Sequence, residues 1–250
     1  VSLGVLSANL VAGQVTIPLQ HYDHVETIRI KVTDNFSRLA YTPNIAVTPN
    51  GLKYVVTAPN RKTTDDTFPI TIQLFDAIFD AFPIRDMDHG VALRVESGGL
   101  PAVGTYPVTA VSLNQGETQF NFKYTKAEHI VILATGTVGS FPVSGSDDMD
   151  IDPGAYVKLQ VLAPGELAIP GIPSATGKDS SGLLPQSARE GFSVTVQAVD
   201  TFWNVVSSVS SPATLRIKLS ADDGSLAAQP QAPLVNGIAN FNNIKLTTPP

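Results

Sequence analysis

The chain has 250 residues, a formal net charge of −6, 43% hydrophobic and 15% charged residues, 19 glycines, 19 prolines and no cysteine. Its few lysines and arginines are scattered, so nucleic acid has no electrostatic footing, and the missing cysteine removes thiol catalysis, zinc–thiolate sites and disulfides together. No apolar run approaches the roughly 20 residues of a membrane-spanning helix, and no amphipathic stripe lasts long enough for an ordinary helix, which leaves an all-β chain rich in Val, Thr, Ser, Gly and Pro.

In chain order, Leu10 to Ile17 reads as a turn and a strand, and Val25 to Val32 alternates with Arg29 and Lys31 on its wet face. Both recur, at nearly one offset, as Leu113 to Phe120 and Ala127 to Ala134. Leu234-Val-Asn-Gly237 with Ile238 to Phe241 is a third copy of the turn and strand. Residues 1–34 are therefore read as the closing strands of a preceding repeat, with Asn35 to Asn44 as a linker. A complete repeat extends to residue 138, through strands at Ile45–Thr48, Lys53–Thr57, Phe68–Phe75, Val91–Glu96, Thr118–Tyr124 and His129–Ala134.

The polar stretch Gly139 to Asp150 reads as a second linker, and residues 139–250 as a second repeat that lacks its last strand. The clearest repetition lies here. Phe192-Ser-Val-Thr-Val-Gln-Ala-Val-Asp-Thr-Phe-Trp-Asn204 matches Phe68-Pro-Ile-Thr-Ile-Gln-Leu-Phe-Asp-Ala-Ile-Phe-Asp80 at one constant offset without a gap. Phe68, Ile70 and Ile72, with Phe192, Val194 and Val196, are expected to face inward between two sheets. Pro164 to Gly191 is a Pro/Gly/Ser-rich insertion expected to form an exposed loop. Val1 stands where a methionine would begin a chain, which suggests a processed piece of something longer.

The chain resembles tandem bacterial immunoglobulin-like repeats, the modules of invasin- and intimin-type adhesins and of other long surface and secreted proteins. The likeness is carried by Pro153-Gly154, Tyr156 to Pro164, Phe192 to Val196, the turn Asp200-Thr-Phe-Trp-Asn204, Leu234 to Gly237, and the strand Lys126 to Ala134 of the earlier copy. Such domains usually carry Asp-x-x-Gly-Asn at the turn; Trp203 and Phe79 stand in the Gly position here. The resemblance implies antiparallel Greek-key β-sandwiches, incomplete at both chain ends, that serve as spacer and adhesive outside the cell.

Candidate sites are few. Trp203, the single tryptophan, is either a sugar- or partner-binding platform or a cover for one end of the sandwich, and the second reading is preferred. Asp76 and Asp200 are read as caps of their own turns rather than metal ligands. Asp147, Asp148, Asp150 and Asp152 form the most acidic run, where calcium held between repeats is the one candidate cofactor, against a plain solvated linker. His21 and His24, near enough to share a metal but with no third ligand placed, and the knot Asp86-Met-Asp88-His89 are read as surface polar residues. No nucleophile elbow, phosphate loop or dinucleotide fingerprint occurs, so no enzymatic activity is expected.

The expected function is a non-catalytic stalk, adhesive segment, or filament or sheath subunit. The rival is a carbohydrate-binding accessory segment of a larger secreted enzyme. Expected partners are neighbouring repeats or copies of the same protein, with a cell-surface or polysaccharide ligand as a further candidate. An assembly edge is expected at Gly237, Phe241 and Ile244, filled by a strand like the one bearing Ile28, Ile30 and Val32.

Overall fold

The computed structural model describes residues 7–17, 26–49, 51–77, 83–84, 88–138, 141–173, 176–187, 190–216 and 231–245. Among these there is no helix; all regular structure is β.

Alternation builds the first unit. In Phe68–Asp76 every second side chain, Phe68, Ile70, Ile72 and Leu74, is buried, which for residues of this size is worth roughly 1.5–3 kcal/mol each. This strand pairs antiparallel with Leu52–Thr57 on one side and Glu117–Phe122 on the other. The facing sheet runs, in spatial order, Ala110–Leu113, His89–Ser97, His129–Val138, Phe141–Asp152 and Arg61–Thr63, the last pair parallel. Val91, Val95, Ile130, Ile132 and Met149 of this sheet meet Phe68, Ile70, Ile72 and Phe122 of the other in one core, a sandwich-like arrangement.

Three segments differ from the sequence expectation. Residues 141–152 are not a linker: Phe141–Asp152 pairs with His129–Val138 from His129↔Asp150 to Val138↔Phe141, and closes the first unit. Its inward residues Val143, Met149 and Ile151 are buried, but Gly145 and Asp147 interrupt the apolar series and make it read as a polar stretch. Gly145 is required there, because a Cβ would lie 2.1 Å from the Tyr54 carbonyl oxygen. Asp147 turns inward because its Oδ2 accepts the Ala58 N–H at 2.7 Å.

The linker expected from Asn35 to Asn44 is likewise half of a hairpin. Lys31–Thr33 pairs with Leu39–Tyr41, and Thr27–Ile28 with Ile45–Ala46. Asp34 Oδ1 closes the intervening turn by accepting the Phe36 and Arg38 N–H groups, both at 2.9 Å. Nor is the insertion a plain exposed loop. Leu167–Ala168 pairs with Lys178–Asp179, and Gln160 Nε2 donates to the Thr176 and Gly177 carbonyls at 3.0 and 2.8 Å, which ties this flap onto the neighbouring sheet.

The second unit joins Lys158–Leu162, Gly191–Val199 and Ile238–Lys245 in one sheet and Ser211–Arg216 with Gln231–Leu234 in another. Val194, Val196, Ala198, Leu234, Phe241 and Ile244 form its core, with Phe192 only partly buried at the margin. Three hairpin turns share one geometry. Ala12 and Gly13, Gln115 and Gly116, and Asn236 and Gly237 all have φ between 50° and 80°, the two left-handed residues of a type I′ turn.

Ile238–Lys245, where an assembly edge is expected, pairs with Gly191–Val199 alone and so ends its sheet. Phe241 and Ile244 face the core, and Gly237 sits in its turn with its N–H on the Val209 carbonyl. In the first unit the matching strand, Glu117–Phe122, pairs with Phe68–Asp76 alone, while the closing hairpin joins the opposite sheet beside His89–Ser97. The corresponding place in the second unit is beside Ser211–Arg216, not beside Ile238–Lys245.

Candidate functional site

The turn that ends Gly191–Val199 reaches into the first unit. Asp200, fully buried, accepts five hydrogen bonds. Its Oδ1 takes the Phe202 and Asn204 N–H groups at 2.8 and 2.9 Å, which makes the turn. Its Oδ2 takes Asn204 Nδ2 and the Gly154 N–H, each at 2.9 Å, and the Thr64 hydroxyl at 2.7 Å. Thr64 belongs to the first unit, and its Oγ1 also accepts the Gly154 N–H at 2.9 Å. Gly154 lies against the Asp65 carboxylate, whose Oδ2 accepts the Ala155 N–H at 3.2 Å.

Asn204 completes the joint. Its Oδ1 accepts the Ala127 N–H at 2.9 Å, and its Nδ2 donates to the Thr125 carbonyl at 2.9 Å. The buried Thr125 hydroxyl donates to the Gly171 carbonyl of the flap and accepts the Thr105 N–H at 2.8 Å. Beside it, burial raises the Glu128 carboxyl, while hydrogen bonds from Lys126, Tyr124 and Ser97 more than offset this and leave it below the usual range. Burial first, then the bond to Glu128, raises the Tyr124 hydroxyl. Buried polar groups are tolerable only when satisfied in this way, so the joint holds in one geometry.

Trp203 has a φ of +69°, in the left-handed region that favours Gly. The ring is held in return. Gly177 of the flap lies so close that a Cβ would come within 2.0 Å of Trp203 Cγ, and the Lys158 ammonium sits 3.4 Å from the ring centroid. A cleft of about 470 Å³ lies between the units, lined among others by Arg61, His129, Asp150, Gln197, Trp203 and Asn204.

The remaining candidates are dispersed. Asp148, Asp150 and Asp152 alternate with the buried face of their strand. His129 lies 2.9 Å from Asp150 and 3.7 Å from Asp148, and Arg61 lies 2.7 Å from Asp152. Among the described residues no group of three or more His, Asp or Glu converges as metal ligands would. His89 is not a free surface residue: its Nε2 is 2.7 Å from the Tyr54 hydroxyl and the rings stack. Asp88 Oδ1 accepts the Gln115 N–H at 2.6 Å. Asp76 is buried. His21, His24, Phe79, Asp80 and Asp86 lie outside the described residues.

Sequence reasoning missed Thr64, Thr125, Gly154 and Gly171 as joint residues. The only signal was local: Thr63-Thr-Asp-Asp66 and Pro153-Gly154 are turn chemistry whose partner is distant.

No family model matches the chain, and no curated protein matches it. Among solved structures it is similar to a crystal structure of a mutant Salmonella alpha-2-macroglobulin, with 9% identity and a TM-score of 0.29. The match takes in 88% of this chain but spans only 17% of that one, a likeness too slight to bear on function.

Proposed function

We propose that the chain is a non-catalytic structural segment of an extracellular bacterial surface protein, a stalk or filament subunit built of tandem immunoglobulin-like sandwiches. The observation that carries this reading is the buried joint at Asp200 and Asn204. Units that merely shared a flexible tether would gain nothing from it, because burying polar groups costs free energy that only a fixed, fully bonded geometry returns. The joint suits a rod that must keep one angle between modules under load. Asp76 stands at the position of Asp200 in the first copy of the repeat, with Asp80 in place of Asn204.

Spin labels on the two units would read this angle. The native chain is expected to give one narrow distance, and Asp200→Ala with Asn204→Ala a broad one. An equally broad distribution in the native chain would sink the rod reading.

The rival, a carbohydrate-binding accessory, draws support from the presence of Trp203 at a cleft. The Lys158 ammonium against the ring weighs against it, since a sugar face would have to displace that cation. Retention on insoluble polysaccharide that disappears in Trp203→Ala would move the assignment to the rival.

A further inference from the structure

The two units differ in how the strand before the repeated one is connected to it. In the first unit the connection from Thr57 to Phe68 is short and gives Arg61–Thr63 to the opposite sheet. In the second unit the longer connection from Leu162 to Gly191 folds back over its own sheet as the flap. The root of the flap is a knot on one carboxylate. Glu166 accepts the Ala163 N–H at 2.9 Å, Lys178 Nζ at 2.6 Å and the Ser180 hydroxyl at 2.6 Å. Lys178 Nζ also donates to the Val161 carbonyl at 3.0 Å, which binds the root to the edge of the sheet.

The tip of the flap lands on both units. Gly171 N–H donates to the Phe202 carbonyl at 2.8 Å, and the Gly171 carbonyl accepts the hydroxyl of Thr125 in the first unit. The fit there is close: φ of Gly171 is +82°, and a Cβ would lie 2.4 Å from the Lys126 Cβ and 2.9 Å from its Cα. Thr125 is the residue whose carbonyl accepts Asn204 Nδ2, so the flap tip sits directly on the Asn204 half of the joint.

Closure leaves two acceptors unmet. Gln160 and Gln197 face each other across neighbouring strands. Gln160 Nε2 holds the flap, but Gln160 Oε1 and Gln197 Oε1 are buried and accept no hydrogen bond from any described residue. Gln197 shares the cleft with Ala168 and Pro170 of the flap, so lifting the flap admits water to this pair. Buried acceptors without donors oppose the seated state, while the bonds at root and tip favour it. The strand ladders of both sheets are untouched by the movement.

We infer that the flap is a releasable strap on the joint between the units. Seated, it holds one angle. Lifted, it wets the Asn204 half of the joint and lets the units swing about the Asp200 half. The inference rests on the proposed reading of a fixed joint and names the element that regulates it. Local opening of this kind draws on segments held by few bonds and little apolar contact, as the flap is.

Hydrogen exchange separates the strap from the joint. The Gly171 N–H reports the strap, and the Ala127 N–H, 2.9 Å from Asn204 Oδ1, reports the joint. In the native chain Gly171 is expected to exchange at least about tenfold faster than Ala127. Gln197→Met removes an unmet acceptor without breaking a bond, and is expected to slow exchange at Gly171. Glu166→Gln loosens the root and Gly171→Ala unseats the tip. Both are expected to speed exchange at Ala127 and to broaden the spin-label distance between the units, while amides of Phe68–Asp76 keep their native rates and show that the fold persists.

One common exchange rate for Gly171 and Ala127 in the native chain would overturn the strap. So would a spin-label distance that stays narrow in both Glu166→Gln and Gly171→Ala, and that result leaves the rigid rod standing. A distance already broad in the native chain sinks the rod itself, and the strap with it.

Discussion

The Thr64 hydroxyl donates to Asp200 Oδ2 at 2.7 Å across 136 positions of sequence, and both side chains are fully buried. One hydroxyl and one carboxylate thereby tie the loop between two strands of the first unit to the last turn of a strand in the second.

Asp200→Ala removes the acceptor of five donors and is expected to cost roughly 3–5 kcal/mol, because buried donors are left unmet. Thr64→Val keeps the volume and loses one donor and one acceptor, for about 1–3 kcal/mol. Denaturant unfolding of both variants checks the order. A Thr64→Val variant as stable as the native chain would mean that Thr64 adds nothing to the joint.

Core substitutions are expected to differ between the two copies of the repeated strand. Ile70 is wholly buried, and Ile70→Ala should cost about 2–5 kcal/mol. Phe192 only borders its core, so Phe192→Ala should cost about 1–2 kcal/mol despite the larger side chain. Thermal unfolding would decide, and a greater loss at Phe192 would contradict the packing described.

The flap should respond to acid. Lys178 Nζ and Ser180 Oγ, each 2.6 Å away, and the Ala163 N–H push the Glu166 carboxyl down to about 2 from its ordinary 4.5. A depressed carboxyl stabilises the fold above its unfolded value, and that stability is lost as pH falls from about 4.5 toward 2. Because Trp203 rests on Gly177 of the flap, its emission should shift to the red over this window. Glu166→Gln should flatten the shift; an unchanged titration in that variant would remove Glu166 from the account.

Calcium should leave the molecule unaltered. Asp148, Asp150 and Asp152 are arrayed along one strand and face His129 and Arg61, whereas a hard cation wants several oxygens converging on one point. Scattering curves with calcium and with chelator are expected to superimpose. A change of inter-unit angle on chelation would restore the acidic run as a cation site.

Period-2 alternation at Phe68 to Leu74 and Val194 to Ala198, and the Asn-Gly and Gln-Gly turns, were enough to establish an all-β chain and the inward face of its central strands, because these depend on neighbours in sequence. The strand Phe141–Asp152 was hidden for the converse reason: Gly145 and Asp147 answer to the Tyr54 backbone and the Ala58 N–H, groups that only folding brings near. Asp200 could be recognised as the cap of its own turn, since the Phe202 and Asn204 N–H groups lie within four residues. That its other oxygen holds Thr64 and Gly154 was decided by tertiary structure alone. A carboxylate has more acceptor sites than a turn can fill, and nothing local specifies which distant donors complete them.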